Sequence, residues 1–232
     1  MKQRGNILFL ILLAIILFVA LTYAVMGQRE GANTGIPKEK ADTFAAQLIQ
    51  NTSLIENNMM RAMLVDGVKE WGFDVAGTYS SRGANGTCVS GPCRIYSSRG
   101  GTVPDMEIPD WASTSTDPDD RKANFYVMQV VNLKTDLPEV AIRYSYIRKE
   151  VCDAINRRLG YTDINLTVAD SMSLYGQASA SNNYGGTLSA MPLGTNSGVG
   201  DTETSLQGRR SFCYMAVSGG TTYHFLHVLI ER

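Results

Sequence analysis

His224 and His227 are the only histidines in the chain, so any general-base chemistry near neutral pH rests on them. A serine–histidine–carboxylate relay has to use one of the two. They stand three apart in Thr222–Ile230 (TYHFLHVLI), a β-branched and aromatic run that reads as a strand. Odd spacing along a strand sends side chains to opposite faces, so the pair does not converge on one ligand. Each reads as an ordinary strand residue. Four cysteines are the other reactive groups. Cys88 and Cys93 have no second nearby pair, which is not a zinc pattern. Asp117, Asp119 and Asp120 in TSTDPDD offer carboxylate oxygens, but the stretch lacks the glycine and distal glutamate of a calcium loop and reads as a solvated turn. No phosphate-binding glycine loop, dinucleotide-binding glycine motif or G-x-S-x-G elbow is present. The expectation is a protein that is not an enzyme, with no catalytic residues, no metal and no cofactor.

The element that dominates the sequence lies at its amino-terminal end. Met1–Gly5 carries Lys2 and Arg4. Twenty residues without a charge follow, Ile7 to Met26, whose only polar groups are Thr22 and the Tyr23 hydroxyl. As a helix rising about 1.5 Å per residue, this run is roughly 30 Å long, the thickness of a bilayer's hydrocarbon core. It reads as a cleaved secretory signal, with Val25-Met26-Gly27 as the cleavage region, or as a signal anchor kept whole. Lys2 and Arg4 precede the span, while Arg29 and Glu30 cancel just after it. The amino terminus is therefore expected in the cytoplasm and the rest of the chain outside it.

A third reading comes from resemblance. Arg4-Gly5 followed directly by Asn6-Ile7-Leu8-Phe9-Leu10-Ile11-Leu12-Leu13-Ala14-Ile15-Ile16 resembles the start of type IV pilins and type II secretion pseudopilins. A fainter similarity to pilin-like proteins of alphaproteobacteria rests on Glu150, Cys152, Ile155, Asn156, Leu159 and Gly160, with the ending Val228-Leu229-Ile230-Glu231-Arg232. The resemblance implies cleavage by prepilin peptidase between Gly5 and Asn6. It implies a retained helix whose Ile7, Leu10, Ile15, Phe18 and Tyr23 pack in the membrane and then in a filament. Leu10 stands where the family usually has Glu, and Gly27 where a kinking Pro is frequent. That implies a minor, initiating or tip role, or a chain that has left the filament system.

The rest is long enough for one domain with a real core. With Lys2 and Arg4 set aside from the 21 basic residues, 19 remain against 22 acidic ones, a net charge of −3 that gives no support for nucleic-acid binding. An exported chain sits in an oxidising compartment, so disulfides are expected. Of three possible pairings, Cys88–Cys93 closes a tight loop and Cys152–Cys213 ties a helix to the carboxy-terminal sheet; these two are favoured.

Residues 28–37 (QREGANTGIP) read as a flexible tether. From Lys38 to Trp71 a helical stripe runs through Phe44, Leu48, Thr52, Ile55, Met59 and Met63. Ala45, Ile49, Met60, Leu64 and Val68 widen it, and Gly72 supplies the stop. Residues 73–122 are rich in turn formers. Phe125–Leu133 reads as a strand, Glu139–Tyr146 is ambiguous, and Ile147–Leu159 reads as a helix capped by Gly160. Residues 176–208, with seven Gly, form either a mobile connection or a binding loop that uses Tyr175 and Tyr184. Ser211–Val217 and Thr222–Ile230 flank Ser218-Gly219-Gly220-Thr221 as a hairpin. Phe212, Tyr214, Tyr223, Phe225, His227 and Leu229 are expected to alternate with Leu226, Val228 and Ile230. Both sets are apolar enough to place the hairpin centrally in its sheet.

The expected fold class is α+β: a leader (1–5), a transmembrane helix (6–27), a tether (28–37) and an exported pilin-like domain (38–232) with a helix on an antiparallel sheet. The expected function is that of a structural pilin-like or pseudopilin-like subunit of a cell-envelope filament or secretion assembly, single-pass in the inner membrane. Its partners are the membrane and other pilin-like subunits or envelope proteins, in homo- or hetero-oligomers. The alternative is an anchored or secreted binding domain for a glycan or an envelope protein.

Overall fold

The computed structural model describes residues 9, 11–20, 35–70, 72–78, 88, 91–128, 139–161, 167–168, 206–216 and 221–231. The chain divides into two units, Met1–Gly35 and Ile36–Arg232. The first contains a helix, α1 (residues 11–20). Among the described residues no helix is long and apolar enough to cross a membrane. The expected span Ile7–Met26 lies half outside them.

The second unit is α+β, with helices packed on one face of a mainly antiparallel sheet. Its long helix α2 (Lys38–Val65) begins after Pro37, whose carbonyl accepts the Ala41 N–H at 3.0 Å. Phe44, Leu48, Thr52, Ile55 and Met59 form its buried stripe, joined by Ala41, Ala45, Asn51 and Ala62. The helix stops earlier than its apolar pattern suggests. Gly67 takes a left-handed φ of 66°, and the N–H groups of Asp66 and Val68 both donate to the Ala62 carbonyl. Val68 therefore packs on the core from beyond the helix, while Met60 and Leu64 are 41% and 80% exposed. The stripe with all its added members is wider than one sheet face covers.

The sheet has the order β1 (Ala123–Met128), β2 (Glu139–Ile147), β5 (Thr222–Ile230), β4 (Ser211–Ala216), β3 (Thr167–Val168). The first four are antiparallel neighbours; the two-residue β3 runs parallel to β4. The ambiguous stretch Glu139–Tyr146 is strand. Ile147, expected to open the next helix, is instead the last residue of β2, paired with Tyr223 and fully buried. The helix α3 (Lys149–Arg158) follows and ends at Gly160, whose φ is 79°. A bulge between Tyr144 and Ile147 makes the turn possible. Within it Tyr146 adopts a left-handed φ of 56°, and its carbonyl accepts the Thr114 N–H at 2.7 Å and the Ser113 and Thr114 hydroxyls. Those three bonds hold a conformation that a bulky residue rarely adopts.

Strand pairing fixes the faces. Cys213 lies opposite Phe225, and Ser211 opposite His227, on the face covered by α2 and α3. Phe212 pairs with Leu226 and Tyr214 with His224. Phe212 and Tyr214 therefore share a face with Leu226, not with Phe225 as the alternation alone suggests; register rather than apolarity decides. The central strand β5 is buried on both faces, as its two apolar sets require.

Both disulfides take the favoured pairing, Cys88–Cys93 and Cys152–Cys213, with Cα atoms 5.7 and 5.3 Å apart. The second joins α3 to β4. Beside it, buried Asn156 donates to the Cys213 carbonyl at 2.7 Å and accepts the Cys213 N–H at 2.8 Å. Its side-chain amide thus pairs with β4 as a neighbouring strand would.

Candidate functional site

Helix α1 is built of Leu, Ile, Phe, Val and Ala without a charge. Its large side chains are all open: Leu13, the least exposed, is 46% accessible, Ile15 58% and Phe18 71%. Of the residues expected to act in processing and assembly, Gly5, Asn6, Ile7, Leu10 and Tyr23 lie outside the described residues. So do most of the tether and all of loop 176–208 before Leu206.

The acidic turn does not gather into a site. Asp117 accepts the Asp119 N–H, Asp119 binds Lys122 at 2.6 Å, and Asp120 accepts the Ser115 hydroxyl at 2.7 Å. Among the described residues no three His, Cys, Asp or Glu side chains are grouped to hold a metal ion.

The two histidines lie on opposite faces of the sheet, in different chemistry. His224 is buried among rings, stacked on Tyr214 at 5.3 Å and tilted against Tyr146 at 5.9 Å. Its Nε2 is 2.9 Å from the Thr222 hydroxyl, and its buried Nδ1 has no hydrogen-bond partner among the described residues. Burial, helped by the charge of Arg143, pushes its pKa down to about 3. Neutral imidazole is therefore the form this site holds.

His227 sits in a polar line that joins three segments. Ser211 and His227 are directly opposed on β4 and β5, next to the hydrogen bond from the Val228 N–H to the Arg210 carbonyl. A pair so placed is the close, non-hydrogen-bonded kind, in which side chains approach most nearly. The Ser211 hydroxyl meets His227 Nδ1. On the far side of the ring, Nε2 is 3.1 Å from Glu56 Oε2, reaching down from α2. Glu56 Oε1 accepts from Arg210 at 2.5 Å, and Arg210 Nε binds Glu231. The His227 hydrogen bond, together with the charges of His227 and then Arg210, holds the Glu56 carboxyl below its ordinary pKa against the opposing effect of burial. An ionised carboxylate only accepts, so Nε2 donates to Glu56 and Nδ1 is the ring nitrogen that faces Ser211.

Ser211, Glu56, Arg210 and Glu231 carry no sequence motif. Once the hairpin register is drawn, Ser211 falls opposite His227; Glu56 is 171 residues from His227 in the chain, and only the fold brings it there. Comparison with protein-family models, with curated proteins and with solved structures finds no match for this chain.

Proposed function

We propose that the chain is a pilin-like or pseudopilin-like structural subunit of a cell-envelope filament or secretion assembly. Its amino-terminal helix anchors it in the inner membrane, with the amino terminus cytoplasmic and the second unit periplasmic or extracellular. The observation that carries this reading is the exposure of α1: every large apolar side chain from Ile11 to Val19 is at least 46% open. A helix apolar all round needs lipid or other helices around it. In a membrane such helices associate by close van der Waals packing, and in a filament the same surfaces pack against neighbouring subunits. The basic residues Lys2 and Arg4 before the run and the pilin-like start at Arg4-Gly5-Asn6 support the same reading. Two disulfides suit an oxidising compartment. Partners are then the membrane and other subunits with exposed apolar helices.

The test is the intact mass and amino-terminal sequence of the protein isolated from its own membranes. The expected start is Asn6. A start at Gln28 would make it a secreted binding domain, and an intact Met1 a plain signal anchor; either overturns the filament reading. In the same preparation, Gly5→Val should leave the chain uncut while Gly27→Val is processed normally.

A further inference from the structure

We propose that Ser211 is a nucleophile activated by His227 and Glu56, and that the second unit hydrolyses a carboxylic ester. Three side chains from α2, β4 and β5 stand in one hydrogen-bonded line: hydroxyl, imidazole, carboxylate. That is the arrangement by which a weak hydroxyl nucleophile is activated: a base within reach of it, and a third group fixing the base's tautomer and orientation. Each member is held by its own support. The close strand pair sets the distance between Ser211 and His227. Arg210, bound to both Glu56 and Glu231, keeps the carboxylate turned toward the ring. Tyr161 donates to the Ser211 carbonyl at 2.8 Å and fixes the backbone beneath the hydroxyl. His227 is 6% exposed, and Ser211 is half-buried beside it, so the base is more shielded than the nucleophile.

Proton and bond changes balance without any added group. Ser211 Oγ attacks the ester carbonyl carbon as its proton passes to His227 Nδ1, and Glu56 faces the imidazolium that forms. The carbon–oxygen bond to the leaving alcohol breaks, and that oxygen takes the proton from Nδ1. Water then attacks the acyl-serine, giving its proton to Nδ1. The acid departs and the proton returns to Oγ. The charge around the line selects the substrate class. Glu56 and Glu231 stand against Arg210 and Arg209, which lies over the Tyr161 ring, so no excess of positive charge is left to hold a dianionic phosphoryl group, whereas a neutral ester needs none.

The experiment uses the full chain in detergent with a fluorophosphonate probe, which captures activated serines, and p-nitrophenyl acetate as the turnover substrate. A single adduct on Ser211, located by peptide mass, is expected. Ser211→Ala should carry none. His227→Gln should label at least about a hundredfold more slowly, the usual contribution of a positioned base. Glu56→Gln, nearly the same shape, gives a second reading should His227→Gln fail to fold: it should slow labelling while the circular dichroism spectrum is kept. No adduct on the wild-type chain, an adduct elsewhere, or equal rates in Glu56→Gln and wild type would each overturn the assignment.

Discussion

His224 and Asn156 show how single buried polar groups set this domain's stability. His224 is held neutral with a pKa of about 3, against an ordinary 6.5, chiefly by desolvation and then by Arg143. Below pH 6.5 the unfolded chain binds a proton that the folded chain refuses, so stability falls as pH falls through the window from 6.5 toward 3. The slope is on the order of 1 kcal/mol per pH unit. Urea melts at pH 7 and pH 5 should show wild type losing more stability than His224→Gln; parallel losses would mean that the ring is solvated. Asn156 poses the opposite problem. It closes both hydrogen bonds of the Cys213 peptide unit in a site without solvent. Asn156→Ala leaves a buried N–H and a buried carbonyl unpaired, so a loss of about 2–4 kcal/mol is expected in denaturant titration. A loss under about 1 kcal/mol would show that water enters the gap.

Joins between elements carry different weights, and the two disulfides measure them. Cys152–Cys213 closes a separation of 61 residues and Cys88–Cys93 one of 5. Chain entropy makes the long closure worth about 4 kcal/mol and the short one about 2 kcal/mol. Replacing each pair by Ala should therefore lower the midpoint of thermal unfolding about twice as far for the long bridge; the reverse order would place the stabilising constraint in the 88–93 loop. Much at this scale was legible in the sequence. The stripe through Phe44, Leu48, Ile55 and Met59 marks α2, and the alternation in Thr222–Ile230 marks the central strand, because each follows a single periodicity. The end of β2 was not legible. Ile147 continues the four-residue spacing of Val151 and Ile155, and only the bulge at Tyr146, stabilised by Ser113 and Thr114 from a distant loop, assigns it to the sheet. The Ser211–His227–Glu56 line was hidden for the same reason. Its members are unremarkable within their own elements, and their meeting depends on strand register and on which face of α2 turns inward.

At the scale of the whole molecule, two apolar surfaces stand open among the described residues, and they are not equivalent. The end of α2 exposes Leu64 and Val65 at 80% and 70%, but Arg61 and Asp66 lie beside them and the opposite side of that helix is packed on the sheet. Such a one-sided patch is common on a domain in water. Helix α1 exposes apolar side chains around its whole circumference, with no charge among residues 11–20. A membrane role therefore predicts different responses to the same substitution at the two places. A charge near the centre of a membrane helix costs about 2.5–3.5 kcal/mol, a shift of roughly a hundredfold or more in insertion. Ile15→Arg should accordingly move the protein out of the membrane pellet after alkaline carbonate extraction, while Leu64→Arg should leave it there. Retention of both would show that the chain is held by its partners rather than by lipid around α1. Release of both would place the membrane contact on the folded domain. Separation of the two variants would tie attachment to the one helix in the described chain that has no polar face to turn toward water.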